Sequence, residues 1–238
     1  LGRRGKMEEI IGRRIFLNIK RPKKQLIDQF RGIPSSNIGD VAERLFCTNS
    51  SLRPMNKAPM AGTAFTVKCP AGDNMMFHMA MDLAQPGDIL VVDGQGSMER
   101  ALAGEIMMRY CKARGLAGVV VEGCIRDKEA IQGMDFPVYC KGITPQGPYK
   151  NGPGEINVPV CAGGQVILPG DILIGDQDGI VVIHPEDGQK LLRELKEKVA
   201  LEERLISSYK TGILDREEHE SLYRQKLEAL GYQYYDEN

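Results

Sequence analysis

The sequence predicts an α/β fold, a sheet domain in which strands alternate with helices, followed by a charged helical tail. Three observations predict it. Residues 86–127, PGDILVVDGQGSMERALAGEIMMRYCKARGLAGVVVEGCIRD, read as one β-α-β unit: apolar runs at 89–92 and 119–121 flank a helical pattern that stops at Gly115. Beyond residue 133 the helical period fades into short β-like runs separated by Gly, Pro and Asp. From Pro185 onward an apolar stripe at helical spacing runs through otherwise charged sequence.

Along the chain, Pro22 at a first helical turn, with Leu26, Ile27 and Phe30 on one face and Gly32 after them, predicts a first helix. Ser36 caps a second, which carries Val41, Ala42 and Leu45. Residues 63–67 read as a strand and 74–83 as a helix whose Met75, Met76, Met79 and Met81 suit core filling. After the central unit, strands are expected at 137–140, 156–160, 165–168, 172–174 and 180–183. The phrase Pro86-Gly87-Asp88-Ile89-Leu90 recurs as Pro169-Gly170-Asp171-Ile172-Leu173, one turn-into-strand device used twice. In the tail, Leu191, Leu192, Leu195, Val199, Leu201 and Leu205 form the stripe, Gly212 interrupts it, and Leu222, Leu227 and Leu230 mark a last short helix. The expected organisation is a basic segment over 1–22, an α/β domain over 23–185 and a helical tail over 186–238.

Composition narrows the class. A chain of 238 residues, 42% hydrophobic and 26% charged, can bury one sizeable core. With a net charge of −1 it has no overall basic field to hold nucleic acid. Nine of the first 24 residues are Lys or Arg, a run that reads as a solvated helix face rather than a nucleic-acid or membrane arm. No run reaches the ~18–20 apolar residues of a spanning helix. The six cysteines form no C-x-x-C pair and read as reduced, mostly buried thiols of a cytoplasmic protein.

The central unit gathers its polar chemistry at one end. In a right-handed crossover the two strands are parallel, so their carboxyl ends share the sheet edge at which open α/β sheets bind ligands. Asp93, the helix opening Gly104-Glu105 and the pair Arg126-Asp127 converge there. A first helical turn offers unpaired N–H groups and a partial positive charge that stabilise a nearby carboxylate by roughly 0.3–1 kcal/mol. Gly104 admits close approach, Arg126 supplies a planar fork of donors, and Asp127 is a hard oxygen ligand suited to magnesium or manganese. The set suits a metal-bound 2-oxo acid. On local pattern alone a plainer reading stays open, with Arg126 and Asp127 a charge pair at a helix start and Gly104 a turn glycine. Gly94-Gln95-Gly96 lacks the third glycine of a dinucleotide fingerprint, the three histidines are scattered, and no G-x-S-x-G elbow is present.

The string Asp93-Gly94, Gly104-Glu105 and Gly123-Cys124-Ile125-Arg126-Asp127 resembles the family that includes 4-hydroxy-4-methyl-2-oxoglutarate aldolase and the regulator of RNase E activity. Ser36-Asn37-Ile38-Gly39-Asp40, residues 62–67, Asp73-Asn74 and the glycines of 154–171 echo it, so the likeness covers residues 23–238. The resemblance implies a layered swivelling β/β/α-type domain. It implies divalent-metal pyruvate chemistry of class II type: Asp127 binds Mg2+ or Mn2+, Arg126 steadies the enolate, and Gly104 with the N–H groups of Glu105, Ile106 and Met107 receives the carboxylate. Glu105 and Asp93 are expected to assist around the metal, and Glu202 or Glu203 to reach in from a neighbouring subunit of a homotrimer or dimer of trimers. The implied reaction cleaves 4-hydroxy-4-methyl-2-oxoglutarate or a related 4-hydroxy-2-oxo diacid to pyruvate and a second oxo acid, with oxaloacetate decarboxylation beside it. The expected partner is thus a small 2-oxo acid, with neither nucleic acid nor membrane. The other activity within the resemblance is non-enzymatic, binding and inhibiting an RNA-degrading enzyme. Asp93 and the helical tail favour the enzyme.

Overall fold

The computed structural model describes residues 10–212 and 216–235. Two short helices, α1 (Lys24–Asp28) and α2 (Ser35–Val41), lead into strands β1 (Arg53–Pro54) and β2 (Met60–Lys68). Helix α3 (Met75–Leu83), strands β3 (Asp88–Asp93) and β4 (Ala101–Ala103), and helix α4 (Glu105–Ala113) follow. Then come β5 (Gly118–Ile125), α5 (Lys128–Gln132) and β6 (Val138–Ile143). The short strands β7 (Glu155–Ile156), β8 (Val160–Ala162), β9 (Gln165–Ile167), β10 (Ile172–Gly175) and β11 (Ile180–Ile183) precede α6 (Gly188–Lys210) and α7 (Arg216–Ala229).

The main sheet has the order β1-β6-β5-β3-β2-β10-β11, with β4 beside β5 and β7 beside β2. Its centre, β6-β5-β3-β2, is parallel, and β1, β7, β10 and β11 add antiparallel edges. The strands β8 and β9 pair only with each other.

Counting residues by twos along the strands gives the layers. Phe65, Val67, Leu90, Val92, Val119 and Val121 form one core with Phe77 and Met81 of α3, Met108 and Cys111 of α4, and Ile131 of α5. Their strand neighbours Ala64, Ile89, Val91 and Val120 form a second core with Val160, Ala162 and Ile167 of the β8–β9 hairpin. Ala61, Ile172, Ile174 and Ile183 pack with Ile27, Phe30 and Ile38 of the first helices and with Leu192 and Leu195 of α6. Helices thus cover one face of the sheet and a hairpin the other, a mixed α/β fold in β/β/α layers. Burial on both faces explains why the central strands read as unbroken apolar runs.

Three expectations need correction. The central unit is more than β-α-β, because Ala101–Ala103 forms an extra parallel strand against Cys124 and Ile125. Of the four methionines on α3, Met76 and Met81 are buried but Met75 and Met79 stand exposed. The basic segment, of which residues 10–22 are described, is extended rather than helical: Ile15 bridges Ile156, Arg14 pairs with Glu155, and Arg21 pairs with Asp88.

By contacts the chain divides into two compact units, one ending at Leu195 and one beginning at Lys196. In the second unit Leu201, Leu205, Ile206, Tyr209 and Leu230 are exposed. The side chain of Leu222 lies outside the described residues. No helix among the described residues is long and apolar enough to cross a membrane.

Candidate active site

Three helices begin at the carboxyl edge of the parallel strands, α3 after Asn74, α4 after Gly104 and α5 after Asp127. Between them lies a pocket of about 200 Å³ lined by Asn74, His78, residues 101–104, Ile106, Met107, Arg126, Asp127, Pro148 and Lys150. Helix amino termini gather here because each crossover returns the chain from the opposite edge.

The Arg-Asp pair is set by backbone. The Arg126 N–H donates to the Ala103 carbonyl at 2.9 Å, so β4 fixes where the pair leaves β5. Asp127 adopts a left-handed conformation, φ 59°, and its Oδ2 accepts the Glu105 N–H at 3.0 Å. Arg126 Nε stands 3.8 Å from the same oxygen, and both side chains remain about half exposed. A Cβ on residue 104 would meet Asp127 Oδ2 at 2.3 Å and Arg126 Nε at 3.2 Å. A side chain at 104 would push Asp127 Oδ2 from its place on the Glu105 N–H, so the glycine lets the α4 terminus and the pair share one pocket as they stand.

The other expected residues divide. Ile106 and Met107 line the pocket, and as first-turn residues their N–H groups have no carbonyl partner within the helix. The Glu105 N–H does not join them, because Asp127 already takes it. The Glu105 carboxylate turns along α4 to Arg109 at 2.7 Å and is not part of the pocket wall. Asp93 is 7% exposed and stands on the hairpin face with Ile89 and Val91, while α3 and α4 cover the other. Its Oδ1 accepts the Gln95 N–H at 2.9 Å. Its strand neighbour Glu122 confirms that facing, accepting the Gly163 N–H of the hairpin turn at 2.8 Å and Lys141 Nζ at 2.9 Å. Glu202 and Glu203 lie in the second compact unit, where Glu202 pairs with Lys198 at 3.0 Å.

Sequence reasoning missed Asn74, His78 and Lys150 as a wall. Asn74 Nδ2 donates to the Leu102 carbonyl at 2.7 Å, while its buried Oδ1 has no hydrogen-bond partner among the described residues. Burial, and then the nearby Lys150 cation, hold the His78 pKa below its usual value. With His78 leaning neutral, Arg126 and Lys150 face the single carboxylate Asp127, a balance that favours an anion. In the sequence Asp73-Asn74 reads only as part of the family motif. Lys150 sits 24 residues beyond Arg126, on a loop whose path no local pattern announces.

A family model described as Aldolase/RraA matches residues 25–182. The chain belongs to the Aldolase/RraA family. It is 40% identical over 178 residues to a protein of Halalkalibacterium halodurans provisionally named 4-hydroxy-4-methyl-2-oxoglutarate aldolase, an alignment covering 74% of this chain and 85% of that one. Among solved structures, Streptomyces coelicolor RraAS2, described as an unusual member of the RNase ES inhibitor RraA family, matches with TM-score 0.69 and 28% identity, covering 78% of this chain and 98% of the other. The RNA-processing inhibitor RraA from Thermus thermophilis matches with TM-score 0.59 and 29% identity over 63% and 92% of the two chains.

Proposed function

We propose that this member of the Aldolase/RraA family is a lyase that cleaves a 4-hydroxy-2-oxo diacid, 4-hydroxy-4-methyl-2-oxoglutarate or a close relative, to pyruvate and a second oxo acid, and that it decarboxylates oxaloacetate. The observation that carries the reading is the fit of Gly104 against Arg126 and Asp127, which joins a helix terminus, a guanidinium and one carboxylate in a single pocket.

The N–H groups of Ile106 and Met107, at the positive end of α4, hold the substrate's first carboxylate. The Arg126 fork faces the adjacent keto oxygen. As the C3–C4 bond breaks, its electron pair moves onto that oxygen, giving pyruvate enolate, and the proton of the 4-hydroxyl leaves. In oxaloacetate the same electron pair comes from the bond to the departing CO2. Protonation at C3 then gives pyruvate in both reactions. A guanidinium placed beside the growing negative charge lowers the barrier. Lys150, which also lines the pocket, suits the second carboxylate of a diacid. We infer that Glu202 or Glu203 of a neighbouring subunit handles the hydroxyl proton, within a trimer or a pair of trimers.

A divalent metal fits the donor set in one form only. Asp127 Oδ2 is engaged by the Glu105 N–H, leaving its other oxygen, and the described residues contain no group of three His, Cys, Asp or Glu side chains able to cage an ion. One carboxylate oxygen suits Mg2+ or Mn2+ that keeps most of its waters. When bound, such an ion supplies Lewis-acid polarisation of the keto group.

The test offers oxaloacetate and 4-hydroxy-2-oxo diacids to the protein with magnesium and follows pyruvate. Release is expected, abolished by exhaustive chelation and restored by magnesium or manganese. Full activity after chelation refutes the metal, and absence of release from every such acid refutes the lyase.

A further inference from the structure

The family model begins at residue 25, yet residues 10–22, which run along the surface, are tied to the fold by hydrogen bonds and ion pairs. They form a strap pinned at two places. At one, Arg21 Nε and Nη2 grip Asp88 at 2.8 and 2.6 Å, at the start of β3 and so at the sheet edge opposite the pocket. At the other, Arg14 Nε and Nη2 grip Glu155 at 2.5 and 3.1 Å, and the Gly12 N–H adds a third bond to Glu155 Oε1 at 3.0 Å. The backbones run together there: Gly154 N–H to Gly12 O, Ile156 N–H to Arg14 O, and Phe16 N–H to Ile156 O, at 2.9–3.1 Å. Asn157 Nδ2 closes the series on the Phe16 carbonyl at 2.7 Å.

Glu155 lies five residues after Lys150, the cation of the pocket wall. Between them, Asp73 Oδ2 accepts the Asn151 and Gly152 N–H groups at 2.6 and 3.1 Å, and its Oδ1 accepts the Met75 N–H at 2.9 Å, beside Asn74. Gly154 is wedged, since a Cβ there would meet the Lys68 carbonyl and Met76 Cγ at 2.5 Å. The Lys150 loop is therefore held before Lys150 by the backbone bonds of Tyr149 to Gly72 and Asn74 and by Arg100, and after it by Asp73 and then by Glu155. The hold at Glu155 depends on a strap that the family model does not include.

We propose that Arg14 is a positioning residue for the pocket: through Glu155 it fixes the downstream end of the loop that presents Lys150. This rests on the lyase reading only for its effect on substrate. With the clamp gone, Glu155 keeps a nearly buried carboxylate without its cation, the segment that follows Lys150 loosens, and Lys150 keeps only the hold on its Tyr149 side. The loss falls on recognition of the second carboxylate, not on the chemistry at the keto carbon.

The experiment compares Arg14→Met, Arg14→Lys and Arg21→Met in the full chain. Arg21→Met is the control, since it frees the strap at the far edge of the sheet. For Arg14→Met we expect amide exchange at 150–152 to quicken by ~10-fold or more while the β3 core amides hold. The KM for a 4-hydroxy-2-oxo diacid, whose second carboxylate does not react, should rise by ~5–10-fold with kcat within about twofold. Arg14→Lys, which keeps the charge but loses the fork, falls between. Unchanged exchange at 150–152 in Arg14→Met overturns the proposal, as does an equal rise in KM for Arg21→Met, which would mark the effect as general destabilisation. If the wild-type protein turns over no 2-oxo acid, the lyase reading fails and the exchange comparison alone decides the role of Arg14.

Discussion

Arg126 and Asp127 do different work and should fail differently. Arg126→Lys keeps a positive charge but not the planar fork, and Asp127→Asn keeps the shape but removes the ligand charge while still accepting the Glu105 N–H. Both should lower turnover of oxaloacetate and 4-hydroxy-2-oxo diacids by ~100-fold or more, the scale of removing one preorganised charge-stabilising group. Melting temperature should barely move, because both side chains are about half exposed. Variants that retain wild-type rates would refute the assigned roles. These two residues and Gly104 were legible in the sequence, since a β-α-β crossover leaves little choice about where a strand's carboxyl end and the next helix start must lie. Asp93 was not. Its strand is apolar at every position from 89 to 92, so no alternation marked which face residue 93 would take, and only the packing of α3 and α4 decides it. Asn74, His78 and Lys150 were hidden for a second reason: they come from two segments that the fold alone brings to Arg126.

Among the elements, the two antiparallel edge strands β10 and β11 are tied at one end by a charged pair. Asp171, 2% exposed, precedes β10 and His184 follows β11; His184 Nδ1 lies 2.8 Å from Asp171 Oδ1, and that hydrogen bond, outweighing burial, raises the His184 pKa above its usual 6.5. The sign follows by linkage. A raised folded-state pKa means the folded protein holds the proton more tightly, so the stabilisation is fully present below about pH 6.5 and is lost as pH rises through the raised value. Thermal melts of wild type and His184→Gln between about pH 5.5 and 8.5 should show a gap that is widest in acid and narrows toward alkaline pH. A gap independent of pH would mean that His184 serves by packing against Phe46 rather than by charge. The repeated Pro-Gly-Asp phrase that begins β3 and β10 was visible in the sequence, and each Asp proves to be buried against a cation, Arg21 for Asp88 and His184 for Asp171. The partners were not visible, because Arg21 lies 67 residues from Asp88 and Arg14 lies 141 from Glu155. A basic run whose counterions are that distant in sequence looks the same as a solvated helix face. Strand β4 escaped for want of length, since three residues show no period.

At the scale of the whole molecule, the second compact unit can be tested by removing it. Leu192 and Leu195 belong to the core of the first unit, so cutting the chain before α6 would open that core and report on folding rather than on the tail. A chain ending at Leu195 keeps both leucines and is the sounder test. If the tail of one subunit serves the pocket of another, this shortened chain should lose activity and change its oligomeric state while α1, α2 and the sheet stay folded. Complementation sharpens the point. Asp127→Asn spoils the pocket but leaves the tail intact, and a double variant, Glu202→Gln with Glu203→Gln, spoils the tail but leaves the pocket intact. When the two are unfolded and refolded together, any mixed oligomers should contain sites that combine a sound pocket with a sound tail. Activity should then return to a fraction of wild type set by the mixing ratio, although each variant alone is poor. Mixed oligomers with no recovered activity would place the tail acids outside the reaction. A double variant that works as well as wild type by itself would do the same, leaving Arg126, Asp127 and the first turn of α4 to carry the chemistry within a single chain.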